Sequence, residues 1–173
     1  MKLKYAFLLV LSVLLFNSCS LTKKTSSDGL QLKILSYNIR NARGMDEVTD
    51  FNRIANVIKL IDADCVALQE LDSATERSGG VIVLDELAKR TGMYATYNAS
   101  IDYQGGKYGV GVLTKEKPLL FHGVQLPGSE EKRSLLIVEM KDYVICSTHW
   151  SLRQPDRFVS VAVISEALKK YTN

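Results

Sequence analysis

Residues 64–72 read DCVALQELD. The apolar run Cys65-Val66-Ala67-Leu68 gives way to Gln69-Glu70. Continuous apolar residues of strand length point to a strand buried on both faces. A carboxylate at the carboxyl end of such a strand is costly to bury without a partner. It is therefore expected at the rim of a sheet, where a cation or a hydrogen-bond network can meet it. Two more stretches share this shape. In Leu32–Arg43, LKILSYNIRNAR, the apolar strand ends in Asn38, with Arg40 following; in Tyr143–Leu152, YVICSTHWSL, it ends in His149. Three strands thus carry Asn, Glu and His to their ends. Each residue alone has a plainer reading: Asn38 as a turn residue, Glu70 as the partner of a lysine or arginine, His149 as a satisfied strand-end histidine.

The chain opens with Lys2 and Lys4 flanking the apolar run Tyr5–Phe16, followed by Asn17-Ser18-Cys19. A charged start, a short apolar core and a small residue before a cleavage point describe a secretory leader. The run is shorter than the roughly 20 apolar residues a membrane span needs. A cysteine directly after Ser18 resembles a lipoprotein signal, with residues 1–18 removed and Cys19 lipidated. An ordinary signal peptide and an uncleaved anchor remain open. The polar residues 19–29 read as a flexible tether, which leaves 30–173 as the domain.

Lysine and arginine number 22 against 19 acidic residues. Removing Lys2 and Lys4 brings the remainder close to neutral. The chain lacks the basic run of a dedicated nucleic-acid binder. Cys65 and Cys146 lie in strand-like apolar runs and are expected as buried free thiols, with a bridge between them the lesser alternative.

Thr49 or Asp50 is placed to cap a helix whose Ile54, Val57, Ile58 and Ile61 form one stripe. Asp62-Ala63-Asp64 then turns the chain into the Glu70 strand. A second helix is expected over Val81–Arg90, with Val83, Leu84, Leu87 and Ala88 inward and Gly92 just past its end. Tyr94–Ser100 and Lys107–Thr114 form a hairpin about Gln104-Gly105-Gly106. Leu119–Leu126, Lys132–Met140 and Asp142–Thr148 add three strands. A last helix begins at Pro155, with Phe158, Val161, Ala162, Ile164, Ala167 and Leu168 as its apolar side. The pattern is α+β: helices covering the outer faces of two packed sheets.

Five motifs occur in an order that resembles the endonuclease/exonuclease/phosphatase superfamily: SYNIRN at Ser36–Asn41, ALQELD at Ala67–Asp72, RSGG at Arg77–Gly80, YGVGVLTK at Tyr108–Lys115 and STHWSL at Ser147–Leu152. The resemblance is strongest to secreted members and spans nearly all of residues 32–170. It implies an α/β four-layer sandwich of DNase I-like type and a metal-dependent hydrolase of phosphate mono- or diesters. By resemblance Asn38 and Glu70 are ligands of Mg²⁺, with Mn²⁺ or Ca²⁺ possible, and His149 is the catalytic histidine that meets a phosphate oxygen, as an imidazolium. Arg40, Arg77 and Tyr108 are candidates for substrate contact, although the two arginines are equally suited to structural ion pairs. Many members carry Asn where Val110 stands. His122 has no assigned role, and Trp150 is placed to shape the pocket entrance.

The superfamily carries two further motifs, an Asp-x-Asn and a near-terminal Asp-His, which have no counterpart after Asp142. The resemblance therefore implies a domain lacking its C-terminal third and weak or absent activity for the 173-residue chain. The alternative is a non-catalytic, lipid-anchored surface protein that retains the scaffold. Expected partners are a small-molecule or lipid-headgroup phosphoester rather than nucleic acid, and a membrane reached through the lipid. The expected setting is the periplasmic or extracellular face of the cell envelope, with the protein a monomer.

Overall fold

The structure, a computed structural model, describes residue 29 and residues 31–171. The leader, Cys19 and most of the tether lie outside the described residues. Strand β1 (Ile34–Asn38) is followed by a short 3-10 turn (Arg40–Ala42), helix α1 (Phe51–Ile61) and strand β2 (Cys65–Ser73). Helix α2 (Val83–Thr91) leads into the hairpin β3 (Tyr94–Tyr103) and β4 (Gly106–Thr114). Strands β5 (Leu120–Leu126), β6 (Arg133–Glu139) and β7 (Val144–Thr148) then form a meander, followed by helix α3 (Gln154–Leu168).

The first sheet has the order β1-β2-β4-β3 and the second β5-β6-β7. Among the described residues only β1 and β2 pair in parallel, across the α1 crossover, and the other strand pairs are antiparallel. Alternation sorts the strand residues into layers. Val110 and Val112 of β4 meet Leu136 and Val138 of β6 between the sheets. Leu113 and Leu68 face outward beneath α1 and α2, packing with Ile54, Ile58, Leu84 and Leu87. On the far side Leu135 and Ile137 face α3. The result is a four-layer helix–sheet–sheet–helix sandwich. Each fully buried leucine contributes roughly 2 kcal/mol. Gly111 lets α2 lie close: a Cβ there would stand 2.6 Å from Leu71 and 2.8 Å from Leu84.

Local chemistry sets the boundaries. The Asp50 side chain accepts from the backbone N–H groups of Asn52 and Arg53, capping α1. Gly92 ends α2 in the left-handed conformation at φ 75°. Gln104 and Gly105 both have positive φ, 43° and 78°, as a tight hairpin turn requires. Cys65 and Cys146 are free thiols.

Three expectations change. Helix α2 starts at Val83 rather than Val81, because Ile82 bridges to Ser73. Strand β2 continues past Glu70 to Ser73. In α3 the inward stripe is Ser160, Val163, Ile164, Ala167 and Leu168, while Phe158, Val161 and Ala162 face outward. That helix is apolar nearly all round, so periodicity carries no single face; Ser160 is buried by donating to the Asp156 carbonyl.

Candidate active site

The ends of β1 and β7 meet the bulge of β2 at one rim. Asn38 closes the β1–β2 ladder opposite Gln69. The β2–β4 register then shifts between Gln69 and Leu71. Glu70, at this bulge, has φ 62°. A bulge breaks the in–out alternation and re-aims one side chain. Here it turns the Glu70 carboxylate to the rim, where Asn38 Nδ2 donates to Oε1 at 2.6 Å. Asn38 Oδ1 accepts the Arg40 backbone N–H at 3.0 Å. Arg40, Asn41 and Ala42 all have positive φ, of 47°, 54° and 57°. Left-handed backbone costs about 1–2 kcal/mol per non-glycine residue, so strain is concentrated on both sides of the Asn38–Glu70 pair, as it often is at functional sites. Asn41 Oδ1 is buried there without a hydrogen-bond partner.

His149 arrives from the other sheet. Ser147 Oγ donates to the Leu68 carbonyl at 3.3 Å, tying β7 to β2 one step below the rim. His149 Nε2 then stands 3.9 Å from Glu70 Oε1. Its Nδ1 lies 3.3 Å from Arg133 Nη1. A guanidinium only donates, so Nδ1 accepts and the ring proton sits on Nε2, facing Glu70. Burial, and then the charge of Arg133, hold the His149 pKa below its ordinary value. His149 is therefore a neutral donor at pH 7, not the imidazolium expected from the sequence.

Tyr108 stands opposite Asp72 on β4. Burial, followed by the Glu70 charge, pushes its phenol pKa up, so it stays protonated. Arg77 grips the fully buried Asp72 through Nε at 2.7 Å and Nη2 at 2.8 Å. Its guanidinium lies 4.5 Å from the Tyr103 ring centroid and 5.3 Å from that of Tyr108. Arg40 is held by Glu47 at 3.0 Å and the Gly44 carbonyl at 3.3 Å. Both arginines are thus engaged by carboxylates. The loop after Arg40 is further tied by Arg53, which holds Asp46 at a pKa of about 2.

Arg133 is the residue that sequence reasoning missed. It opens β6 after Glu130-Glu131-Lys132, and nothing in that charged run sets it apart. Its side chain is mostly buried, paired to Glu131 at 2.6 Å, and Nε has no partner. His122 lies apart from the rim, 3.9 Å from Glu139 and stacked on Tyr171.

Glu70 offers a carboxylate, and the Asn38 Oδ1, which accepts the Arg40 N–H, keeps a second lone pair for a cation. Hard oxygen donors in such small number fit a divalent cation such as Mg²⁺, which keeps several waters. Among the described residues no group of three or more His, Cys, Asp or Glu is placed to hold a metal.

The sequence matches the family described as Endonuclease/Exonuclease/phosphatase, whose model aligns with residues 35–159. The chain belongs to that family. Among solved structures, the endonuclease/exonuclease/phosphatase protein from Beutenbergia cavernae superposes with a TM-score of 0.63 at 20% identity, over 78% of this chain and 43% of that one. ANGEL2, a 2′,3′-cyclic phosphatase, gives 0.61 at 18% identity, over 81% of this chain and 47% of that one. TDP2 from Caenorhabditis elegans gives 0.59 at 20%, over 83% and 42%. This chain therefore spans less than half the length of these three structures. No curated protein matches the sequence at a significant level. Enzymes of this family generally use divalent metal ions.

Proposed function

We propose that the rim formed by Asn38, Glu70 and His149 is the metal- and phosphate-binding half of a phosphoester hydrolase site. The observation that carries this reading is their convergence from the ends of β1 and β7 and from the bulge in β2, across two sheets. Asn38 and Glu70 would hold the cation, Mg²⁺ by preference. When bound, it supplies charge neutralisation at a phosphoryl oxygen.

The chain's own groups supply the rest. His149 Nε2–H donates to a non-bridging phosphate oxygen, and the neutral ring needs no counter-charge to do so. Arg133 orients His149 through Nδ1 and has donors suited to an anion. The protonated Tyr108 adds a hydroxyl donor on the β4 side. Substrate contact by Arg77 and Arg40 would compete with Asp72 and Glu47, so both act chiefly by positioning their neighbours. The substrate is a mono- or diester of a small molecule or lipid headgroup, and the protein works at the cell envelope, held by a lipid on Cys19.

A second reading is a lipid-anchored surface protein that keeps the scaffold without turnover. It is favoured by the small ligand set, since among the described residues no group of three or more His, Cys, Asp or Glu is placed to hold a metal. A positioned general base contributes about 10²–10⁴-fold in rate, so turnover that relies on Asn38, Glu70 and His149 alone is expected to be slow. The test is hydrolysis of bis(p-nitrophenyl) phosphate by the purified chain with Mg²⁺ and with EDTA. Slow, Mg²⁺-dependent turnover lost in both Glu70→Gln and His149→Gln supports the first reading. Mg²⁺ binding without turnover supports the second. Turnover indifferent to Glu70→Gln refutes the proposed site.

A further inference from the structure

Between Thr148 at the end of β7 and Gln154 at the start of α3, residues 149–153 belong to no ladder or helix. His149 opens that stretch, so contacts other than secondary structure must fix it. The same holds for residues 127–132, which join β5 to β6 and lead into Arg133. Backbone groups outside ladders take their partners from side chains or water. Here the side chains come from the first turn of α3. Arg157 Nη1 donates to the Ser151 and Leu152 carbonyls at 2.9 and 2.8 Å. Ser151, only 7% exposed, accepts the Arg153 N–H on its Oγ at 3.1 Å.

Both segments converge on Asp156. It is the third residue of α3, where an acid is favoured by the helix dipole. A capping box would turn a carboxylate at this position back to the N-cap N–H. The Arg153 N–H is instead taken by Ser151, and Asp156 reaches out of the helix. Its Oδ2 accepts the Ser151 hydroxyl, the Ser129 hydroxyl and the Ser129 backbone N–H, each at 2.9 Å. Hydrogen bonds to a charged oxygen are roughly twice as strong as neutral ones. The Ser129 N–H, and then the Ser151 hydroxyl, hold the Asp156 carboxyl below its ordinary pKa. Ser129 stands four residues before Arg133, and Ser151 two after His149. Arg133 Nη1 and His149 Nδ1 are the pair that meets at 3.3 Å between these segments. Arg153 and Glu130 add a second tie at 3.3 Å, but both are exposed, and such pairs contribute little.

We propose that Asp156 is a positioning residue for the rim: by holding Ser129 and Ser151 on one oxygen, it fixes the approach of Arg133 to His149. The consequence for turnover rests on the hydrolase reading; the geometric consequence does not. An acid that merely stabilised α3 would act through its charge. A positioning acid acts through the oxygen at the Oδ2 place. Asparagine separates the two roles. It loses the charge but keeps an acceptor for all three donors, and its amide can stand where Oδ1 takes no hydrogen bond from the described residues. Alanine loses both.

The test compares Asp156→Ala, Asp156→Asn and Ser151→Ala in the full chain. Trp150, the single tryptophan, lies between His149 and Ser151 and reports the held segment. The fast component of its anisotropy decay is expected to grow in both alanine variants and to return to the wild-type amplitude in Asp156→Asn. Hydrolysis of bis(p-nitrophenyl) phosphate is expected to fall in the alanine variants through kcat, by up to about 100-fold, and to recover in Asp156→Asn. The midpoint of the Mg²⁺ titration, set by Asn38 and Glu70, should not move. A wild-type decay in both alanine variants, or an Asp156→Asn that matches Asp156→Ala, overturns the proposal. So does a loosened Trp150 with kcat unchanged, which would confine Asp156 to holding the loops. Ser151→Ala carries the test if Asp156→Ala fails to fold. A wild-type chain without turnover counts against the hydrolase reading alone, and the anisotropy decays still decide the role of Asp156.

Discussion

Arg133 Nη1 lies 3.3 Å from His149 Nδ1 and fixes the tautomer of the one histidine at the rim. Because burial and this guanidinium lower the His149 pKa, the unfolded chain binds its proton more readily than the folded one. Stability tied to His149 is therefore complete above the ordinary value of 6.5 and is lost as pH falls below it towards the folded pKa. NMR titration of the imidazole is expected to give a pKa below 6.5, raised in Arg133→Met. An unchanged value in that variant would mean that the Arg133 charge does not act on the imidazole.

Asp72 and Arg77 form an asymmetric pair, since Asp72 is fully buried and Arg77 is 38% exposed. Arg77→Met leaves a buried carboxylate without its counter-charge, at a cost of about 3–5 kcal/mol. Asp72→Asn leaves a guanidinium that water can still reach, at a cost of about 0.2–1 kcal/mol after solvent screening. Urea unfolding of the two variants should rank them in that order. Equal losses would mean that Asp72 is satisfied without Arg77.

Glu70 carries a carboxylate and a left-handed backbone at the same position. Glu70→Gly relieves the backbone strain, so the variant should be no less stable than wild type, with a gain of up to about 1 kcal/mol. It should nevertheless lose every response to Mg²⁺. A destabilised Glu70→Gly would mean that the carboxylate supports the fold rather than the site.

Asp50 caps α1 with two backbone hydrogen bonds. Asp50→Ala should lower unfolding free energy by about 0.5–2 kcal/mol. The rim is untouched by this change, so the midpoint of a Mg²⁺ titration should stay where it is.

That Asn38, Glu70 and His149 come together could be read from the sequence, because an apolar run that turns polar announces itself. ILSYN, CVALQE and VICSTH each switch from apolar to polar at the residue that reaches the rim. The α1 stripe and the Asp50 cap are equally local, and both stand as expected. What escaped depends on register between strands distant in sequence. Arg133 meets His149 only because Leu135 pairs with Thr148 across β6 and β7. The Glu70 bulge is likewise a property of the β2–β4 ladder, invisible in ALQELD itself. The face of α3 was misjudged for a third reason. Phe158, Val159, Val161 and Ala162 surround the helix, and only packing on Leu135 and Ile137 selects the buried side.

The central claim is that Glu70, held by Asn38, is a metal site. Thermal unfolding of wild type and Glu70→Gln across a Mg²⁺ titration tests it most directly. Ligand binding to the native state stabilises it by about 2.7 kcal/mol at a hundredfold excess over Kd. The account predicts a wild-type Tm that climbs with Mg²⁺ and a Glu70→Gln Tm that matches wild type without the ion and does not move with it. An equal climb in both proteins would place the metal elsewhere and contradict the account.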